Sequence, residues 1–271
     1  MNITQLCEKI ELQETFVRCI IDFLREFDFH TIDETISALT KPESSEKAYF
    51  ELKDTLGEDP RGIKILTCYL LAATQTYENY LALDIDEAIF FDTMRCFPRY
   101  INETAERKGI MAFDRAQFCH RHLSMTILRI GTLEYERKLR EDIRVNAVHI
   151  PTDADFSDEA LDRSFASARC LIREKFPEYG DAKITCESWL LGKNLEEMLP
   201  ENSRILKFQK RFDIFPSRVP GTDYLKFIFH RDDCRNYETL PENTSLQRRI
   251  KEKLLRGEGI ECGFGILKEN L

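Results

Sequence analysis

After Leu123 the apolar residues of this chain change their spacing, and no other feature limits its fold as strongly. Before that point they recur every three or four residues, the period of a helix with one buried face. Phe16, Val17, Ile20, Leu24 and Phe27 form one such stripe, and Ile63, Leu66, Leu70, Thr74 and Tyr77 form another. Pro60, Gly62 and Pro98 punctuate these helices. Thr31-Ile32-Asp33-Glu34 has the form of a capping box, whose hydroxyl and carboxylate satisfy unpaired backbone donors at a helix start. Asp114-Arg115-Ala116-Gln117 is expected to cap a last helix. Residues 1–123 therefore read as a helical domain.

Residues 124–271 follow a mixed pattern. Segments 125–130 and 133–139 are strand-like and meet at Gly131-Thr132, which suits a tight hairpin. A third strand is expected over 143–150, stopped by Pro151. Ser157 then opens a helix whose Leu161, Phe165, Ala168, Ile172 and Phe176 face one way. A strand follows over 183–191 and a short helix over 202–210. Segments 211–215 and 224–230 read as strands about the turn residues Pro220-Gly221. Thr244-Ser245-Leu246-Gln247 is a second capping box, and the alternation Ile260, Cys262, Phe264, Ile266 closes the chain as a strand.

Composition narrows the function. A net charge of −9 argues against general nucleic-acid binding, which needs a basic surface to displace counterions. The longest apolar run, near Ile65 to Ala73, falls short of the roughly 20 residues that span a bilayer. No membrane or nucleic-acid partner is expected. Nine cysteines without a C-x-x-C pair read as reduced core thiols, and Met1-Asn2-Ile3-Thr4-Gln5 lacks the features of a secretory signal. A cytoplasmic location is expected.

Several segments together resemble one family. Phe113-Asp114-Arg115, the run from Arg129 to Glu136, His149-Ile150-Pro151, the run from Cys186 to Leu191, and Leu240-Pro241 with Thr244-Ser245-Leu246-Gln247 are similar to those of bacterial acyltransferase-domain proteins. Such proteins join a helical N-terminal acyltransferase domain to a GNAT-like C-terminal domain. The resemblance implies an α+β fold, with a helical domain followed by a GNAT-like mixed β-sheet flanked by helices. It also implies an acyl-CoA-dependent N-acyltransferase that uses acetyl-CoA or a longer acyl-CoA as co-substrate, with an amine on a small molecule or peptide as acceptor.

In such enzymes the third core strand splays from its neighbour, and its free backbone groups hold the pantetheine arm. Mapped here, Val148 and Ile150 would meet that arm, and Ser157 would stand at the helix start that receives the pyrophosphate. The connecting loop departs from the pattern. Residues 151–157 contain no glycine and carry Asp153 and Asp155 where a phosphate should approach. Like charges about 4 Å apart repel by about 1 kcal/mol in water and by more at lower dielectric. A second reading follows: a non-catalytic binding or regulatory protein on the same fold.

His149 ends the third strand and is the first candidate base, since histidine changes charge nearest neutral pH. The other role for it is to order the turn before Pro151. Glu187, on the next strand, is a candidate to act as base or orient the amine, or else to form a surface ion pair. Ser188 and Trp189 are candidate substrate contacts, with core packing as the alternative for Trp189. Ser188 lacks a G-x-S-x-G context, so an acyl-enzyme serine is not expected. Asn202-Ser203-Arg204 with Lys207, Lys210 and Arg211 forms a basic patch, either a solvated helix face or an alternative phosphate site. Gly257 reads as a helix C-cap and the glycines after it as sites of close backbone packing. Cys119-His120-Arg121-His122 is a cluster of metal-binding residue types, but neighbours on a helix diverge by about 100° and His120 and His122 do not share a face. No metal is expected.

Overall fold

The computed structural model describes residues 1–219 and 221–269. The chain forms two compact units, Met1–Ile130 and a second from Gly131 onward. The first unit contains α1 (Ile3–Lys9), α2 (Glu14–Glu26), α3 (Asp33–Ala38), α4 (Ser45–Leu56), α5 (Ile63–Ala82), α6 (Glu87–Met94), α7 (Cys96–Lys108), α8 (Ala116–Leu123) and a short strand β1 (Ile127–Ile130). The unit ends after β1 because that strand packs with α6 and α8.

α5 is the axis of this unit. Its 20 residues bury Leu66, Tyr69, Leu70, Ala73 and Tyr80 at helical spacing. Among its neighbours are α1, α2, α3, α4, α6 and α8. The stripe expected on α2 buries Phe16 and Ile20. The capping box at Thr31 is not formed. A single 3-10 turn, Phe29–Ile32, runs straight into α3, so Asp28 caps that turn at His30 N and Thr31 Oγ1 donates to the Asp28 carbonyl. Nor does Asp114 cap α8. Its carboxylate is taken by Thr104, Arg107 and Lys108.

The second unit carries β2 (Leu133–Arg140), β3 (Ile143–His149), α9 (Asp158–Lys175), β4 (Lys183–Ser188), α10 (Arg204–Gln209), β5 (Phe212–Pro216), α11 (Tyr224–Phe229), α12 (Ser245–Leu255) and β6 (Gly263–Leu267). Within this unit the strands lie in the order β2-β3-β4-β6-β5. β2 and β3 are antiparallel, β3 and β4 parallel, and β6 runs antiparallel to both β4 and β5. The parallel pair needs a crossover, and α9 supplies it. Its buried Leu161, Phe165, Ala168 and Ile172 form one face. Phe165 meets Tyr135 of β2 edge to face at 6.4 Å, and the Tyr135 and Ser164 hydroxyls bond at 2.9 Å.

Two expected strands are corrected. Residues 224–229 are the helix α11, whose Tyr224, Leu225 and Phe229 join Leu195, Met198, Leu240, Ile250 and Leu254 in a separate apolar cluster. Burial of one helical face decided a short apolar run that is ambiguous by period alone. Pro220, expected at the turn, lies outside the described residues. The strand expected over 183–191 stops at Ser188, and Trp189–Leu191 is a 3-10 turn. The Thr244 capping box is formed with Gln247. No described helix is long and apolar enough to cross a membrane. All nine cysteines stand as thiols; five are buried and Cys170 is exposed.

Candidate active site

Strand alternation brings the polar groups to one side of the sheet. On β2, Glu134, Glu136, Lys138 and Arg140 share a face, while Tyr135 points to α9. Register then aligns Val145, Ala147 and His149 of β3, Thr185 and Glu187 of β4, and Phe264 of β6 with that face. Lys138, Arg140, Val145, Ala147, Val148, His149, Thr185, Glu187 and Phe264 line one open cleft.

The parallel pairing of β3 with β4 runs from Val145↔Lys183 to Val148↔Cys186 and ends there. β4 continues through Glu187 and Ser188, which pair with Phe264 and Gly263 of β6. His149 and Glu187 therefore stand one residue past the last paired residues of two adjacent parallel strands, and both border the cleft.

The His149 Nε2 lies 2.8 Å from Glu136 Oε2, and Lys138 Nζ donates to the same oxygen at 2.9 Å. Glu136 is 5% exposed, whereas the His149 side chain is 37% exposed. The buried carboxylate orients the ring and the ring reaches the cleft. Glu187 accepts from Arg140 Nη1 at 2.7 Å and from Ser217 Oγ at 2.6 Å. The Arg140 hydrogen bond is the main cause holding the Glu187 carboxyl below its ordinary range; burial opposes the shift and Ser217 assists it. Arg140 also lies over the Phe264 ring, 4.1 Å from its centroid. Glu187 is thus an ionised, fully engaged group, better suited to holding a cation than to taking a proton.

The loop after β3 explains its missing glycines. Asp155 Oδ1 accepts from Ser157 N at 2.8 Å, so a side-chain carboxylate occupies a donor at the start of α9. That hydrogen bond is the main reason the Asp155 carboxyl sits below its ordinary range. The Ser157 hydroxyl donates to Asp155 Oδ2 and accepts from Ala160 N, capping the helix. The basic patch read from the sequence lies against this loop. Arg204 is 3.8 Å from Asp155, Lys207 is 3.4 Å from Asp158, and Arg211 is 2.9 Å from Asp158 and also bonds Asp162. Arg211 itself is 7% exposed. The acidic start of α9 is therefore met by cations from α10 and the residue before β5.

Of the residues singled out from the sequence, the structure brings His149, Glu187 and Val148 to one cleft. Ile150 follows β3 directly. Ser157 stands at the N-cap of α9. The Ser188 hydroxyl accepts from Leu190 N and caps the 3-10 turn. Trp189 is 6% exposed and packs into the apolar cluster of Leu195, Met198, Tyr224 and Phe229. Glu136, Lys138, Arg140, Ser217 and Phe264 were not singled out. The alternation Glu134, Glu136, Lys138, Arg140 within a strand was the available signal for three of them. Ser217 had none, since it reaches Glu187 only through the fold.

Comparison with known proteins agrees with this architecture. Residues 1–125 match the N-acyltransferase N-terminal domain, and residues 115–267 match the GNAT-like C-terminal domain. No curated protein matches. A mutant acyltransferase solved with octanoyl-CoA is similar over 98% of this chain and 87% of its own, with 18% identity and a TM-score of 0.77. An acyltransferase solved with decanoyl-CoA and teicoplanin is similar over 99% and 100%, with 17% identity and a TM-score of 0.70. Another, with CoA and 10C-teicoplanin, covers 99% of each chain at 18% identity and a TM-score of 0.71. The GNAT-like match takes in more than half of the 271 residues, and the chain belongs to the family that carries this C-terminal domain behind an N-acyltransferase N-terminal domain.

Proposed function

We propose that this protein is an acyl-CoA-dependent acyltransferase that moves an acyl group directly from the thioester to an amine carried by a small molecule. One observation carries the reading: the β3–β4 ladder ends at Val148 and Cys186, with a histidine and a carboxylate lining the cleft just beyond it. The family supplies the chemistry, and the structural neighbours crystallised with acyl-CoA support the co-substrate. Backbone groups of Val148 and Ile150 are assigned to the pantetheine arm, which extends the sheet where β3 is no longer paired with β4.

His149 takes the proton as the amine nitrogen bonds to the thioester carbonyl carbon. The C–S bond then breaks, and protonated His149 returns its proton to the departing thiolate to give the free thiol, the first proton of the ammonium form having passed to solvent. Glu136 orients His149, and Glu187, held by Arg140 and Ser217, positions the ammonium form of the acceptor before it loses its proton. Ser188 and Trp189 act from behind β4, shaping the turn that carries Glu187 towards substrate. At the start of α9, Ser157 and the cations Arg204 and Lys207 receive the pyrophosphate as it displaces the local carboxylates.

Calorimetric titration of acetyl-CoA and octanoyl-CoA tests the reading. Saturable binding that weakens at least tenfold when Arg204 and Lys207 are both changed to methionine is the expected result. Absence of saturable binding at millimolar ligand overturns it and leaves the non-catalytic reading of the fold.

A further inference from the structure

The helical unit holds a second constellation, remote in sequence from the cleft residues. Cys96 is the first residue of α7, and Cys119 and His122 stand three residues apart on α8. The two sulfurs and a ring nitrogen of His122 lie within 4.8 Å of one another. All three residues are buried, at 1%, 0% and 1% exposure. The i,i+3 spacing places Cys119 and His122 on the same face of α8, a pair that reading only adjacent and alternate residues misses. His120, between them, is directed elsewhere. Its Nδ1 lies 2.9 Å from the Ser45 hydroxyl of α4 and its ring stacks on Tyr49. Tyr100 meets the His122 ring edge-on at 6.5 Å.

We propose that Cys96, Cys119 and His122 form a zinc site that ties α7 to α8. The donor set is the soft sulfur-and-imidazole kind that selects Zn²⁺ or Cu⁺ over hard cations. Charge decides between them. Two thiolates and a neutral imidazole form an electrically neutral complex with Zn²⁺ and an anionic one with Cu⁺, and a net charge is costly at fully buried positions. Bond lengths of about 2.3 Å to sulfur and about 2.0 Å to nitrogen put tetrahedral donors roughly 3.5–3.8 Å apart. The present spacing is within about 1 Å of that, a distance side-chain rotation supplies. Three protein ligands leave the fourth position to one water.

Binding zinc requires both thiols to lose their protons, which passes two protons to solvent and creates no redox demand. The test uses full-length protein without a histidine tag, purified with a non-thiol reductant, equilibrated with zinc and desalted. About one zinc per chain is expected by mass spectrometry. Replacement by Co²⁺ should give a near-ultraviolet thiolate-to-cobalt band in the wild type and in Cys170→Ser, an exposed cysteine. Cys119→Ser and His122→Asn should each lower zinc retention at least tenfold. Wild-type protein that retains less than a tenth of an equivalent and shows no cobalt band overturns the site. So does zinc content unchanged in both variants, or a Cys96–Cys119 disulfide found in the protein as purified.

Discussion

Gly263→Ala should damage the second unit far more than its small size suggests. A Cβ built at Gly263 would sit 2.2 Å from the Leu191 carbonyl oxygen and 2.8 Å from its carbonyl carbon. Ordinary contact begins at 3.4 Å, so backbone must retreat by about 1 Å. Neither side yields readily. Gly263 is the ladder partner of Ser188, and Leu191 belongs to the 3-10 turn that follows β4. Overpacking against backbone puts the loss at about 3 kcal/mol. Gly257→Ala is the control. Its φ of +76° is left-handed, but nothing lies within 4 Å of the added carbon, so only the conformational cost of about 1 kcal/mol applies. At a few degrees per kcal/mol these become losses of roughly 9 °C and about 3 °C in melting temperature. Trp189 is the sole tryptophan and is buried beside this contact, so its fluorescence during heating reports the relevant unit. If Gly263→Ala melts no lower than Gly257→Ala, the close approach of β6 to the turn after β4 is refuted.

His149→Ala should lower kcat for thiol release from acyl-CoA in the presence of an amine by about 10²- to 10⁴-fold, the usual contribution of a positioned base. Retention within threefold would remove it from the mechanism. Glu136→Gln keeps the shape but loses the charge on a 2.8 Å hydrogen bond; a loss of about 1.5–3 kcal/mol corresponds to roughly 10- to 150-fold in kcat, with little change in KM for acyl-CoA. The double variant should be no worse than His149→Ala, because the carboxylate acts through the ring. Asp114 governs acid sensitivity of the helical unit. Burial alone would raise its carboxyl, but hydrogen bonds from Lys108, Thr104 and Arg107 hold it below its ordinary value. A lowered native pKa stabilises above the unfolded value and is lost as pH falls through the native one. The melting difference between wild type and Asp114→Asn, followed by circular dichroism, should thus be greatest near pH 7 and shrink below about pH 4. A difference that grows on acidification would contradict the assignment.

Much of the scaffold is written in local pattern. The stripe on α5, the Ser157 and Thr244 caps, the third strand β3 and the crossover helix α9 each follow from residues close in sequence. These features depend on backbone donors and on one buried face, and both leave a short-range trace. The caps that failed, at Thr31 and Asp114, carried the right residue types. In each case a competitor satisfied the group first: Asp28 in one, and Thr104 with Arg107 and Lys108 in the other.

His149 and Glu187 were legible because each ends or sits within a strand of recognisable period. Their partners were not. Glu136 meets His149 because β2 and β3 pair in one register, and Arg140 meets Glu187 across two strand boundaries. A shift of one residue would turn every one of these side chains to the other face. The same holds for the pairing of Asp155 and Asp158 with Arg204, Lys207 and Arg211, which turns a loop that repels phosphate on paper into one already matched by cations. Local sequence determined the elements and their order through periodicity and caps. Only tertiary structure decided which charges became neighbours, because register and packing bring together residues with no relation along the chain.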